Sequence, residues 1–290
     1  MKSGLKVKTK IRIGKICYLN CLPFYHNFNP SESYDLDFYE AVPAEINGAM
    51  SQGKIDIAPI SSLEYLNHQK DYLILEPLVI SARDFSGSVL LFSHKKVEEL
   101  DRAVIALSRE SLSSAALLKI LLKFKYKFEN EFAAVDSNPQ EMLERYDAAL
   151  VIGDNALFYR PKEFVYKNDL SEIWWNWTEK PFCFALWAAR REFAENFPEE
   201  TAAFLRNLKK NLNKNLEDLE GLIKDGLKMS FLDERFSKVF GYLFNLNYGL
   251  DETMQEGLEL FYRLAGRLKV SPRFREFEFF KSPGNSGTLS

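Results

Sequence analysis

The stretch of sequence that decides the fold is VIALSRESLSSAALLKILLKF, residues 104–124. An apolar run from Ala103 to Leu107 predicts a strand, and apolar residues at helical spacing after it predict a helix. Between these two elements lie four serines: Ser108, Ser111, Ser113 and Ser114. The first turn of a helix presents unpaired N–H groups and partial positive charge, and serine hydroxyls add further donors. This pattern therefore predicts an anion site, although serine also caps helices and favours turns.

Polar side chains follow other predicted strands as well. The strand Ile55–Ile60 runs directly into Ser61, Ser62 and a short helix, and Asn20 follows the strand Arg12–Ile16. In open α/β sheets, ligands bind outside the carboxyl ends of the strands. The convergence of these polar residues on strand ends therefore predicts a ligand cleft.

Strands alternate with short helices through the first two thirds of the chain, which predicts an α/β fold with mainly parallel strand pairing. Further strands are expected at Leu36–Glu40, Leu73–Ile80, Val89–Ser93, Ala148–Ile152 and Phe182–Ala188. Asp154 follows one of these strands and either contacts a ligand or caps the next turn. From Pro198 onward the pattern is helical, and residues 284–290 are expected to form a disordered tail.

The composition argues against several classes of function. The chain has 46% apolar and 27% charged residues, as is ordinary for a soluble globular protein, and its net charge of -3 argues against nucleic-acid binding. No apolar leader follows the N-terminal lysines and no apolar run reaches membrane-spanning length, so we expect a cytoplasmic protein without membrane association. The cysteines and histidines lack ligand spacing and no glycine-rich phosphate loop occurs, so we expect neither a metal site nor an organic cofactor. The sequence does not indicate an oligomeric state.

Six short motifs occur in a fixed order between residues 11 and 190. They are Tyr18-Leu19-Asn20 with Pro23, Ser61-Ser62-x-Glu64-Tyr65, Ser88-Val89-Leu90-Leu91-Phe92-Ser93, Ser113-Ser114-Ala115-Ala116-Leu117-Leu118, Ile152-Gly153-Asp154-x-Ala156-Leu157 and Pro181-Phe182-x-Phe184-Ala185-x-Trp187-Ala188. Each motif alone is weak, but six in register are specific. Together they resemble the chorismate dehydratase family of the futalosine route to menaquinone.

The resemblance implies a type II periplasmic-binding-protein fold, in which two α/β lobes face each other across a central cleft. The two crossing segments between the lobes are expected near Ser93 and Trp187. Lobe 1 would then comprise residues 1–93 and 187–283, including the helical C-terminal part, and lobe 2 would comprise residues 94–186.

The resemblance also implies a hydro-lyase that converts chorismate into 3-[(1-carboxyvinyl)oxy]benzoate and water without a cofactor. Asn20 and Ser88 are expected to be catalytic residues that orient the ring and the leaving hydroxyl. The residues expected to bind the substrate, chiefly its two carboxylates, are Ser61, Ser62, Ser108, Ser111, Ser113, Ser114 and Asp154. No histidine or carboxylate stands out as general base, so the enolpyruvyl carboxylate of the substrate is itself a candidate to accept the proton.

Two positions depart from the family pattern. Asp84-Phe85 stand where the family usually has Gly-Pro, and Leu112 stands where it tends to have an arginine, for which Arg109 could substitute. Two other functions stay open: a solute-binding or ligand-sensing protein of the same fold, and the enzyme of the same pathway that makes dihydroxynaphthoate. The second has an N-terminal signature that differs from Tyr-Leu-Asn. Fold alone cannot separate a binding protein from an enzyme.

Overall fold

The computed structural model describes residues 8–29, 34–110, 112–136, 138–163 and 165–283. Two of the sequence predictions, the ligand role of Ser111 and the tail at 284–290, lie outside these residues. The described chain forms two β-sheets, each flanked by helices, which agrees with the predicted α/β class.

The first sheet has six strands. Its members are β1 (Thr9–Ile16), β2 (Tyr34–Ala41), β3 (Ile57–Ser61), β4 (Tyr72–Ala82), β10 (Phe182–Arg190) and β11 (Leu246–Gly249). They lie in the order β11-β4-β10-β3-β1-β2. The pairs of β1 with β2 and with β3 are parallel, whereas β10 lies between β3 and β4 and is antiparallel to both. Every residue of β3 is buried, as its apolar sequence predicts for a strand covered on both faces.

The second sheet has five strands. They are β5 (Val89–Ser93), β6 (Val104–Ser108), β7 (Glu131–Val135), β8 (Ala148–Ile152) and β9 (Tyr166–Asp169), in the order β7-β6-β8-β5-β9. β6 is parallel to β7 and β8, but β5 is antiparallel to β8 and β9. The prediction of mainly parallel pairing is therefore wrong, because both sheets are mixed. β5 and β10 are the first strands after the chain passes from one sheet to the other, and each is antiparallel to both of its neighbours.

The helices occupy the ranges between and after these strands. They are α1 (Leu22–Tyr25), α2 (Pro43–Ser51), α3 (Ser62–Asn67), α4 (Leu112–Ile120), α5 (Pro139–Arg145), α6 (Gly153–Phe158), α7 (Leu170–Thr178), α8 (Arg191–Asn196), α9 (Pro198–Glu217), α10 (Leu219–Leu227), α11 (Phe236–Asn245) and α12 (Glu252–Arg267). Short 3-10 turns cover Leu19–Cys21 and Val97–Glu99, and a π-helical segment, Leu121–Tyr126, extends α4. Among the described residues, no helix combines the length and the apolar character that a membrane crossing requires.

Sheet membership places the two crossings elsewhere than at Ser93 and Trp187. Ser93 ends β5, which pairs with β8 in the second sheet, and Trp187 lies in β10, which pairs with β3 in the first. The chain therefore crosses between β4 and β5, at residues 83–88, and returns between α7 and β10, at residues 179–181. An apolar run predicts a strand but carries no information on which sheet receives it. We propose that these two segments divide the chain into lobes.

The first crossing is fastened to the second sheet by one buried carboxylate. Asp169, which is 3% exposed, accepts hydrogen bonds from the N–H of Ser86 at 3.1 Å and of Gly87 at 2.7 Å. It also accepts from the Ser86 hydroxyl at 3.0 Å and from the Ser171 N–H at 2.8 Å. The crossing is therefore held in a fixed conformation immediately before Ser88.

Candidate functional site

A cavity opens where the two sheets face each other, and residues from both sheets line it. Five of the predicted site residues are among its lining: Asn20, Ser61, Ser88, Ser113 and Ser114. Three others, Ser62, Ser108 and Asp154, are not part of that lining. Among the described lining residues, Glu110 is the one carboxylate, and lysine and arginine are absent. An anion in this cavity would therefore be bound by hydroxyl, amide and backbone N–H donors.

The first turns of α3 and α4 meet behind the cavity. The Ser113 hydroxyl oxygen accepts the N–H of Leu63 at 2.9 Å, and it lies 3.1 Å from the Ser62 hydroxyl oxygen. Ser62 donates its single proton to the carbonyl of Cys183 at 2.8 Å, so Ser113 must be the donor in the pair of hydroxyls. The protons of both hydroxyls are therefore used within the protein, although Ser113 lies at the cavity wall.

Ser61 is both a helix cap and a cavity residue. Its hydroxyl oxygen accepts the N–H of Glu64 at 3.2 Å, which caps α3, and the side-chain amide of Asn47 at 3.0 Å. The Asn47 carbonyl in turn accepts the Ser61 N–H at 3.1 Å. Because both bonds use the hydroxyl oxygen as acceptor, the hydroxyl proton can still be donated to a ligand.

The turn after β6 does not place its residues as the sequence suggested. The Ser108 hydroxyl accepts the N–H of Glu110 at 3.3 Å, so it stabilises the turn. Arg109 lies at the surface, where its Nε is 3.2 Å from the Asp136 carboxylate. Its guanidinium does not line the cavity and so does not take the place of the family arginine at position 112. The residue of this turn that lines the cavity is Glu110. The sequence did not predict this, because Glu110 stands between polar residues in a predicted turn and looks like an ordinary surface residue.

Tyr18 joins the two sides of the cavity. Its hydroxyl donates a hydrogen bond to Glu110, and its ring packs on Gly153 at the start of α6. Gly153 has φ +60, and a Cβ there would lie 2.8 Å from the Tyr18 ring, so both backbone conformation and space require glycine. Burial and the neighbouring Glu110 raise the pKa of Tyr18, so the phenol remains a neutral donor.

Both predicted catalytic residues belong to the lining of the cavity. Ser88 is fixed by its backbone, since its N–H donates to the Ser86 hydroxyl at 3.3 Å and its carbonyl accepts the Gly153 N–H at 2.8 Å. The Asn20 Oδ1 atom is buried and has no hydrogen-bond partner among the described residues. A buried amide oxygen without a partner is rare and marks a place where a ligand can supply the missing donor.

Asp154 neither caps its helix nor lines the cavity. Its carboxylate accepts the N–H of Leu19 at 3.2 Å and so fixes the turn that carries Asn20. Burial raises the pKa of Asp154 to about 6, against the lowering effect of the Leu19 N–H. Burial, and to a smaller extent the charge of Asp154, raise the pKa values of the neighbouring Tyr18, Cys21 and Tyr242, so these groups are neutral at this pH.

The Asp154→Asn variant is expected to lose one component of the pH dependence of stability. The native pKa of about 6 exceeds the unfolded value of about 3.9, so the native state binds more protons between these values. This carboxyl group therefore lowers the free energy of unfolding as the pH rises through that window, by about 1–2 kcal/mol after allowance for its partial exposure. Urea unfolding of both proteins from pH 4 to pH 8 measures the difference. Equal slopes for both proteins would contradict the prediction, and the exposed Asp136→Asn serves as control.

A family model described as menaquinone biosynthesis matches residues 11–267. The chain belongs to this menaquinone biosynthesis family. One relative is the chorismate dehydratase of Thermus thermophilus, which is 30% identical over an alignment of 276 residues that covers 89% of this chain and 95% of that protein. The resemblance inferred from the six motifs is therefore confirmed.

Solved structures similar to this menaquinone biosynthesis family member share its fold. A protein from Archaeoglobus fulgidus has a TM-score of 0.72 at 21% identity and covers 90% of this chain and 98% of its own. The ligand-binding component of an ABC-type import system from Staphylococcus aureus has a TM-score of 0.66 at 13% identity, covering 95% and 97%. The periplasmic aliphatic sulphonate binding protein of Escherichia coli has a TM-score of 0.62 at 14% identity, covering 96% and 98%. These likenesses confirm the predicted periplasmic-binding-protein fold.

Proposed function

We propose that this protein is a hydro-lyase that converts chorismate into 3-[(1-carboxyvinyl)oxy]benzoate and water. The observation that carries the proposal is the match to the Thermus thermophilus chorismate dehydratase along 89% of the chain. The cavity supports it, because its donors suit an anionic ring compound and its apolar walls suit the ring itself.

The reaction removes the ring hydroxyl and the hydrogen on the neighbouring carbon, which also bears the enolpyruvyl ether. The electrons of the broken C–H bond form the new ring double bond, and the hydroxyl leaves with a proton as water. The product ring is aromatic, so the elimination is favourable. Because the removed hydrogen is vinylogous to the ring carboxylate, negative charge develops there, and fixed donors would stabilise it.

The hydrogen-bond pattern separates the proposed roles of the serines. Ser61 has a proton to donate, and Ser114 lies at the cavity wall in the first turn of α4, so we assign these two to the substrate carboxylates. Ser113 and Ser62 are engaged with each other and with the backbone, so we assign them to the assembly of the cavity wall. Asn20 and Ser88 face the ring and its leaving hydroxyl.

We assign the proton acceptor to the substrate. Glu110, the carboxylate of the described lining, already accepts a hydrogen bond from Tyr18, and its charge opposes a dianionic ligand. The enolpyruvyl carboxylate adjoins the carbon that loses its hydrogen, so it can accept the proton without a protein base. The protein would then contribute orientation and charge stabilisation.

Incubation of the purified protein with chorismate, followed by absorbance and mass measurements, tests the proposed function. We expect loss of one water at equal rates before and after dialysis against EDTA. Ser114→Ala should lower kcat/KM about 10–100-fold, because a hydrogen bond to a charged group contributes about 1.5–3 kcal/mol. Ser113→Ala is the matched control and should chiefly lower the free energy of unfolding. Binding of chorismate without conversion would instead support a solute-binding protein.

A further inference from the structure

Tyr242 is a buried tyrosine behind the cavity whose hydroxyl has no hydrogen-bond partner among the described residues. Its side chain belongs to α11, and the residue is 4% exposed. α11 packs against the 3-10 turn that contains Asn20. The Tyr242 ring also lies 4.0 Å from the position that a Cβ of Gly87 would take, directly beside Ser88. The phenol is therefore enclosed by the two segments that carry Asn20 and Ser88.

The surroundings of this hydroxyl are polar on the side of the cavity. Burial raises the pKa of Tyr242, while the polar side chains of Ser88 and Asn20 near its hydroxyl lower it. The phenol is thus a neutral donor at physiological pH. The Asn20 Oδ1 atom is an acceptor, and it too is buried without a partner. A donor and an acceptor that both lack a partner are therefore buried in two segments that pack against each other.

Unsatisfied buried polar groups lower stability, and native proteins retain few of them. Where they persist next to a ligand cavity, local stability has been given up for function. A hydrogen bond from the Tyr242 hydroxyl to the Asn20 carboxamide or to the Ser88 hydroxyl would fix the orientation of that group. Both residues face the reacting ring in the proposed function.

We propose that Tyr242 is a positioning residue of the dehydration site, whose hydroxyl orients the Asn20 carboxamide and the Ser88 hydroxyl toward the leaving hydroxyl of the substrate. The assignment deepens the proposed function and rests on it. It gives one residue of the helical C-terminal part of the chain an indirect role in the site. Tyr242 acts through its two neighbours and does not touch the substrate.

Tyr248 provides a matched control. It is 5% exposed, its hydroxyl is also buried without a partner in the described part of the chain, and its ring packs edge-on against Phe24. Tyr242→Phe and Tyr248→Phe each delete one oxygen atom from a buried, unpaired phenol. Only the first of these hydroxyls adjoins Asn20 and Ser88.

The test compares steady-state kinetics and thermal unfolding of the two variants with the wild type. Tyr242→Phe is expected to lower kcat about 10–100-fold with KM changed less than about threefold, because the hydroxyl orients reacting groups rather than binding substrate. Tyr248→Phe is expected to leave kcat unchanged. Both variants should unfold at the wild-type temperature or above it, since each loses an unsatisfied polar atom. Unchanged kcat in Tyr242→Phe, or an equal fall in both variants, would overturn the assignment.

A second measurement does not depend on turnover. In protein labelled with ¹⁵N-asparagine, the side-chain amide signals of Asn20 are identified by their loss in Asn20→Ala. These signals should shift in Tyr242→Phe and stay in place in Tyr248→Phe. If the wild type fails to convert chorismate, the proposed function is wrong. The shift of the Asn20 amide signals in Tyr242→Phe then still tests whether Tyr242 orients Asn20. Signals that stay in place in both variants would remove that role.

Discussion

Asn20→Ala is expected to lower kcat for chorismate about 100–1,000-fold while the protein remains folded. The carboxamide lines the cavity, and its buried oxygen forms no bond within the described chain, so its removal costs the fold little. Loss of one fixed polar group that acts on the reacting atoms typically has an effect of this size. Ser88→Ala should change kcat in the same direction.

Asn168→Ala is the matched control for this experiment. The Asn168 amide nitrogen is also buried without a partner, but it lies on β9 at the edge of the second sheet, away from the cavity. Circular dichroism of both variants checks folding, and initial rates over a range of chorismate concentrations give kcat and KM. A kcat for Asn20→Ala within threefold of the control would contradict the role of the carboxamide.

Asp169→Ala is expected to lower the free energy of unfolding by about 3–5 kcal/mol. The substitution leaves the N–H groups of Ser86, Gly87 and Ser171 buried without the acceptor that they share. Each unsatisfied buried N–H costs about 1–3 kcal/mol, and partial relaxation or entry of water would recover some of it. Activity should fall as well, since the released segment leads directly into Ser88.

Urea unfolding followed by circular dichroism measures this effect, with Asp147→Ala as the control. The Asp147 carboxylate accepts one N–H, that of Val104 at 2.8 Å, in an exposed position. Its loss should cost less than about 1 kcal/mol. Equal midpoints for the two variants would show that the Asp169 network does not hold the first crossing.

The α/β class and most strands followed from the sequence because apolar runs report burial directly. β3, β5 and β8 are buried at every position, and each appeared as a short apolar run between turns. Strand direction and sheet membership did not follow, because an apolar run reads the same in either direction. β7, β9 and β11 escaped detection because they are short or half-exposed edge strands.

The site was predictable in outline only. Of the polar residues at predicted strand ends, Asn20 and Ser61 line the cavity, whereas Ser62 and Ser108 do not. Ser113 and Ser114, indicated by the start of the predicted helix, and Ser88, indicated by the family resemblance, also line it. The roles assigned to Ser62 and Ser113 depend on contacts between residues 50 or more positions apart, such as that of Ser113 with Leu63, which spacing in the sequence cannot reveal. Tyr242 was hidden for a different reason. It lies on the apolar face of an amphipathic helix, where a tyrosine looks like an ordinary core residue.

The position of β10 sets the order in which the chain can fold during synthesis. β3 and β4 are consecutive in the chain but never pair, because β10 separates them, with Ala185 paired to Ser61 on one side and Ile80 on the other. The second sheet is complete once Asp169 has left the ribosome, whereas the first must wait for Arg190 and then for β11. Pairing between such distant segments slows folding. The first sheet contains the earliest strands of the chain, yet it can be completed only after every strand of the second sheet has been synthesised.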